Sequence, residues 1–190
     1  MDLLLGVRGA RRRLARWESR PFWPAAERGP DDRCLRDRFR RDVGREPPGA
    51  PLADGPFRRA AEAILRYEVF PPSLIRPVLR RSPVDVGDTV GIFYRPLRLF
   101  FAARVIERFD GAGDGVARAG FTYRTLVGHP ELGEETFSVE KDLTTGVVSV
   151  ELASWSRPGT RLARIGASLM RRVQVRANRR ALDHLASAAA

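Results

Sequence analysis

Between Leu126 and Glu140 the chain reads LVGHPELGEETFSVE, and this stretch gathers most of the residue types that could do chemistry. His129 is one of only two histidines, and Glu131, Glu134, Glu135 and Glu140 follow it closely. An imidazole beside a carboxylate can act as a general base, because the acid orients the ring and raises its proton affinity. Glu131 is the nearest acid, with Glu134 and Glu135 further on, and Pro130 stiffens the backbone beside the histidine. On that reading the protein is a hydrolase or isomerase using His129 and Glu131 as its acid–base pair.

Two other readings stand beside it. In one, the stretch is a strand-to-strand connection in which Gly128 and Gly133 supply the unusual dihedrals of a bend. Glu134 and Glu135 then open the next strand and pair with Arg124 or Arg118 across the hairpin. In the other, His129 and Glu131 form the polar rim of a cavity mouth and read a ligand's head group. Whether the chain is an enzyme stays open at this level.

Other chemistries have less support. Cys34 is the only cysteine, so it has no partner for an internal disulfide or a zinc knuckle. With two histidines, a metal site has a thin ligand set, and no metal or cofactor is expected. No Gly-x-Ser-x-Gly elbow occurs. DGAGDG, residues 110–115, lacks the spacing and terminal glutamate of an EF-hand and reads as a hairpin turn. Tyr94 and Tyr123 either project hydroxyls into a pocket or are core aromatics, and Trp155 is expected to pack against the start of the last helix.

The net charge of +11 suggests an anionic partner until it is divided along the chain. Residues 1–50 carry 13 arginines against 8 acids, residues 51–157 carry 14 basic groups against 14 acids, and residues 158–190 carry 7 arginines against 1 acid. The body is neutral and the excess sits at the ends. Those ends could bind nucleic acid or an anionic membrane surface, an interaction-module reading. Of the 34 basic residues 33 are arginine, Lys141 being the exception, which reflects coding bias as much as phosphate recognition. No apolar run approaches the ~20 residues of a spanning helix. The arginines follow the short run Leu3–Leu5 rather than precede it, so the protein is expected to be cytoplasmic.

These groups must be positioned by a body that begins near residue 56. Residues 1–55 read as a basic, Pro- and Arg-rich extension, its one helical stripe being Leu3, Val7, Ala10, Leu14 and Trp17. FRRAAEAILRYEVFPP places Phe57, Ala60, Ala61, Ile64 and Leu65 on one face of a short helix. PSLIRPVLRR predicts one more helical turn. From Thr89 the period is two, and five strands follow. Ala117, Ala119, Phe121 and Tyr123 face one way in the third, Phe137 and Val139 in the fourth, and Val148, Val150 and Leu152 in the fifth. After Ser156-Arg157-Pro158-Gly159, Thr160 caps a helix of about 25 residues, ~38 Å long. Its apolar side holds Leu162, Gly166, Leu169, Met170, Val173, Ala177 and Ala181, and its outer side carries Arg161, Arg164, Arg172, Arg176 and Arg179.

The order predicts an α+β fold, a curved antiparallel sheet gripped by a long C-terminal helix, as in the START and Bet v 1-like helix-grip proteins. That architecture wants a strand before the short helices, for which LRYEVF is the candidate. Residues 56–187 form the expected single domain. FRRAAEAILRYEVFPP, AGFTYRTLVGHPELGEETFSVE and SWSRPGTRLARIGASLMRRVQ together resemble the family known as domain of unknown function 1990. The resemblance implies one domain with a dispensable N-terminal extension, and it names no substrate, cofactor or catalytic residue. The expected function is binding of a hydrophobic or amphipathic small molecule between sheet and helix. Phe121, Tyr123, Val150, Leu162, Leu169 and Val173 would supply the wall, and Tyr94, His129 and Glu131 polar contacts.

Overall fold

In the computed structural model, which describes residues 2–3, 9–26, 29–159 and 167–190, the period-two patterning yields five consecutive strands, but they are not the whole sheet. The elements are β1 (Asp2–Leu3), α1 (Ala10–Glu18), β2 (Leu35–Arg45), α2 (Pro56–Leu65), β3 (Ile75–Val78), β4 (Thr89–Tyr94), β5 (Leu99–Gly113), β6 (Val116–Thr125), β7 (Glu131–Asp142), β8 (Val147–Pro158) and α3 (Ala167–Ala189). The antiparallel order is β2-β8-β7-β6-β5-β4-β3, with β1 pairing β5. Register shifts between Asp42 and Gly44 and between Val105 and Glu107 are bulges, which bend and twist the strands that carry them.

The strand expected before the short helices is β2, not LRYEVF. Leu35–Arg45 lies inside the stretch read as an extension, and it pairs with β8 along its length. LRYEVF instead ends α2 and turns. Tyr67 adopts φ 57°, a left-handed conformation costly for a bulky side chain, and the reversal drives its ring into the core. PSLIRPVLRR likewise forms the edge strand β3 rather than a helical turn, and Pro77 is tolerated there because an edge position can dispense with one ladder N–H. The β5–β6 turn is only Asp114-Gly115, both at positive φ as a two-residue I′ hairpin requires, so residues 110–113 of DGAGDG belong to β5.

The main core lies between the concave face of the sheet, α2 and the second half of α3. Phe57, Ala60, Ala61, Ile64 and Leu65 of α2 meet Phe121, Phe137, Val139, Val150 and Leu152, while Ala181, Leu182, Leu185 and Ala189 close the other side. Arg59 donates through Nε and Nη2 to the Ala189 carbonyl at 3.0 and 2.7 Å, covering the carbonyl end of α3. On the outer face, Ala10, Leu14 and Trp17 of α1 bury against Phe93, Phe100 and Leu126. The described part of the N-terminal apolar stripe is therefore occupied by the protein's own sheet. No helix among the described residues is long and apolar enough to cross a membrane.

Candidate functional site

Strand register sorts the concave face into rows running across β6, β7, β8 and β2. Phe121, Phe137, Leu152 and Phe39 make an apolar row. Two residues further along, the row is Tyr123, Glu135, Ser154 and Asp37, polar at every position. The switch occurs beneath the first turns of α3, where Arg171 pairs bidentately with Asp37 and Gln174 Nε2 donates to Glu131 Oε2 at 3.3 Å.

Tyr123 Oη donates a 2.7 Å hydrogen bond to Glu135 Oε2. Burial pushes the Glu135 carboxyl up to about 7; the Tyr123 hydrogen bond opposes this, while the charges of Glu131 and Asp37 add to it. Glu131 is also raised, chiefly by burial, with Arg171 opposing and Asp37 reinforcing. Tyr67 packs its ring against Tyr123, and its buried hydroxyl has no hydrogen-bond partner among the described residues. The result is an aromatic and carboxyl group set into the polar end of the concave face.

His129 serves the turn before β7. Gly128 precedes it at φ 98°, as a bend-forming glycine does. His129 Nδ1 meets main-chain atoms of Glu131, the carbonyl oxygen at 2.8 Å and the amide nitrogen at 3.1 Å, so the ring engages the backbone of Glu131 while that residue's carboxylate engages Gln174. Phe101 packs edge-on against the imidazole at 4.7 Å. Burial holds the ring's pKa down to about 3, so it is neutral at physiological pH. Nε2 is buried without a hydrogen-bond partner among the described residues. Gly133 bends nothing. A Cβ there would lie 2.0 Å from the Trp155 carbonyl oxygen, so its role is close approach of β7 to β8.

A cavity of about 30 Å³ opens at this point, lined by Tyr123, Thr125, His129, Glu131, Glu135, Ser154, Ser156 and Gln174 among others. That volume takes about one water-sized group. Of the residues singled out by sequence, Tyr123, His129 and Glu131 line it together. Phe121 and Val150 lie fully buried in the apolar rows below. Tyr94 packs against the same core from the end of β4, away from the cavity, and Val173 is half-buried on α3. Leu162 and the side chain of Leu169 lie outside the described residues. Glu134 pairs with Arg124 at 2.6 Å on the outer face, one of the two pairings expected, whereas Arg118 pairs with Glu140. Trp155 donates Nε1 to Glu134 there, and the helix start it was expected to pack against lies outside the described residues. Arg172, Arg176, Arg179 and Arg180 are exposed, as the outer face of α3 requires. No group of three or more potential metal ligands occurs among the described residues.

Sequence reasoning named Glu135 only as a more distant acid for His129 or an arginine partner, not as a ligand-binding residue, and it did not single out Asp37, Tyr67, Arg171 and Gln174. Parity could have found the first: Phe137 and Val139 face inward, so Glu135 does too.

A curved antiparallel sheet closed by a C-terminal helix, with a small polar cavity under that helix, defines a helix-grip domain of the START and Bet v 1-like kind. Residues 24–184 match the family described as Domain of unknown function (DUF1990), and the chain belongs to it. A UPF0548 protein of Dictyostelium discoideum is 31% identical over a 127-residue alignment, with 62% of this chain and 59% of that protein covered, so the match spans less than two thirds of the relative's length. Among solved structures, hypothetical protein jhp0584 of Helicobacter pylori aligns over 100% of this chain and 99% of that one, with TM-score 0.55 and 11% identity. Norcoclaurine synthase of Thalictrum flavum aligns over 98% and 95%, with TM-score 0.46 and 9% identity.

Proposed function

We propose that the domain binds a small amphipathic molecule between the concave sheet and the first half of α3. The polar head sits on Tyr123 and Glu135, and the apolar body runs along Phe121, Val150 and Val173, with Leu162 and Leu169 as further wall. One observation carries this reading: a fully polar row stands beside an apolar one on the same face, with a cavity above the polar row. Ligand pockets are typically ~300–1,000 Å³. The cavity of about 30 Å³ therefore takes the head, and the body enters as the first turns of α3 lift from the sheet. Burial of apolar ligand surface at ~25 cal/mol/Å², less ordering costs, drives that step. Native mass spectrometry of protein from its own host, compared with the same sample denatured, tests it. A small molecule released on denaturation, with occupancy reduced in Tyr123→Phe and Glu135→Gln, supports the site. Occupancy unchanged in both variants places any ligand elsewhere.

A second reading, proton transfer on the bound molecule, is favoured by Glu135, the cavity carboxyl held near neutrality. His129 and Glu131 are less suited, since the neutral imidazole engages the main chain. Turnover lost in Glu135→Gln but kept in His129→Gln, with both variants folded, would support it.

A further inference from the structure

In a chain with 33 arginines, the buried and half-buried carboxylates among the described residues other than Glu131 and Glu135 all have a counter-ion. Glu151 has Arg38 and Arg40, Glu140 has Arg40 and Arg118, Glu134 has Arg124, Glu46 has Lys141 and Asp88 has Arg81. Glu135 and Glu131 break this pattern. Among the described residues their side-chain hydrogen-bond partners are neutral, Tyr123 and Gln174. Arg171, whose charge acts on Glu131, is committed bidentately to Asp37. No lysine or arginine among the described residues lines the cavity.

We propose, building on the binding reading above, that the head group this site takes is a cation, a protonated amine, held between the carboxylates of Glu135 and Glu131. The cavity has the size of one water, which is also the size of an ammonium group. Tyr123 spends its hydroxyl on Glu135 Oε2 and so fixes the carboxylate that would meet the cation. His129 lines the same cavity, 6% exposed, and its Nε2 has no partner among the described residues. As an acceptor in the tautomer protonated at Nδ1, that nitrogen can take one ammonium hydrogen. A buried carboxylate without a counter-ion either keeps its proton or recruits a cation, because the desolvation cost is otherwise unmet. An anionic head would face two carboxylates, and a neutral one would leave the charge unanswered.

The groups facing Glu135 from the packed elements are Tyr123 on β6, Glu131 on β7, Ser154 on β8, Asp37 on β2, Tyr67 after α2, and Arg171 and Gln174 on α3. Of these the carboxylates raise the proton affinity of Glu135, so amine binding must displace a proton near neutral pH.

The test is calorimetric titration of the full chain with hexylamine, 1-hexanol and hexanoate at pH 6 and pH 8. Hexylamine is charged at both. It should bind better than 1-hexanol, and about tenfold more tightly at pH 8 than at pH 6, as Glu135 loses its proton. Hexanoate should bind least. Glu135→Gln should remove both the amine preference and its pH dependence, with the fold checked by circular dichroism. If 1-hexanol binds as tightly as hexylamine at pH 8, or the amine's affinity is flat with pH, the cation assignment is wrong while the binding reading survives. If none of the three binds, both fall.

Discussion

Lys141 Nζ lies 2.9 Å from Glu46 Oε2, with both side chains wholly buried. The chain's sole lysine thus joins the inner end of β7 to the segment entering α2. Lys141 also donates to the Ala50 carbonyl at 3.0 Å, and Glu46 accepts the backbone N–H groups of Leu52 and Phe57, each at 3.0 Å. The Phe57 contact places a carboxylate at the amino end of α2, where the helix dipole favours it.

Removing one partner strands the other charge in the core. Lys141→Met should cost about 3–5 kcal/mol in urea unfolding, and the double variant Lys141→Met/Glu46→Met less than the sum of the singles. A loss below ~1 kcal/mol for Lys141→Met would contradict this. Burial alone would raise the Glu46 carboxyl, but the two N–H groups and the ammonium outweigh it and hold it below 4.5. Its contribution is therefore complete above the ordinary glutamate range and lost as pH falls through the lowered value.

Glu135 has the opposite linkage. Its folded value of about 7 lies above the ordinary 4.5, so between those pH values the folded state keeps a proton that the unfolded state has released. This contribution to stability is complete below the ordinary value, declines as pH rises towards about 7 and is level above it. Glu135→Gln should remove the decline, leaving the ligand-free variant about 1–3 kcal/mol more stable than the parent at pH 8 relative to their difference at pH 4. Urea titrations at the two pH values check this, and an unchanged difference refutes it.

His129 should remain neutral in the folded protein. Its Cε1–H resonance, assigned by its absence in His129→Gln, should stay flat between pH 5 and 9, because burial holds the ring's pKa to about 3. A titration midpoint near 6.5 would instead place the ring in solvent and remove it from the turn.

Gly133→Ala should be strongly destabilising, by ~2 kcal/mol or more, since the new methyl would meet the Trp155 carbonyl at 2.0 Å between paired strands. Gly111→Ala, with nothing within 4 Å of the added Cβ, serves as the control and should change stability by less than ~0.5 kcal/mol. Thermal melts of the two variants separate a close-approach glycine from a tolerant one.

The elements legible in sequence were those with a buried face. Phe57, Ala60, Ala61, Ile64 and Leu65 announced α2 because all five are buried, and the inward positions of β6 to β8 announced the sheet through their alternation. β2 was hidden because it is an edge strand: LRDRFRRDVGR has no fully buried residue and little apolar alternation to read. Pro77 concealed β3 in the same way. At the site, the alternation of Phe121 and Tyr123 pointed inward, but the row joining Tyr123 to Glu135, Ser154 and Asp37 depends on register across four strands. Register over that distance is set by packing and bulges, which no local spacing records. His129 attracted attention by its chemistry and proved a turn residue whose ring lines the cavity.

The most direct measurement is chemical-shift mapping by NMR of the full chain with hexylamine at pH 8. The account predicts perturbations centred on Tyr123, Glu135, Ser154 and Gln174, fading towards Lys141 at the far end of the grip. Perturbations confined to the exposed arginines of α3, or none at saturating amine, would contradict it.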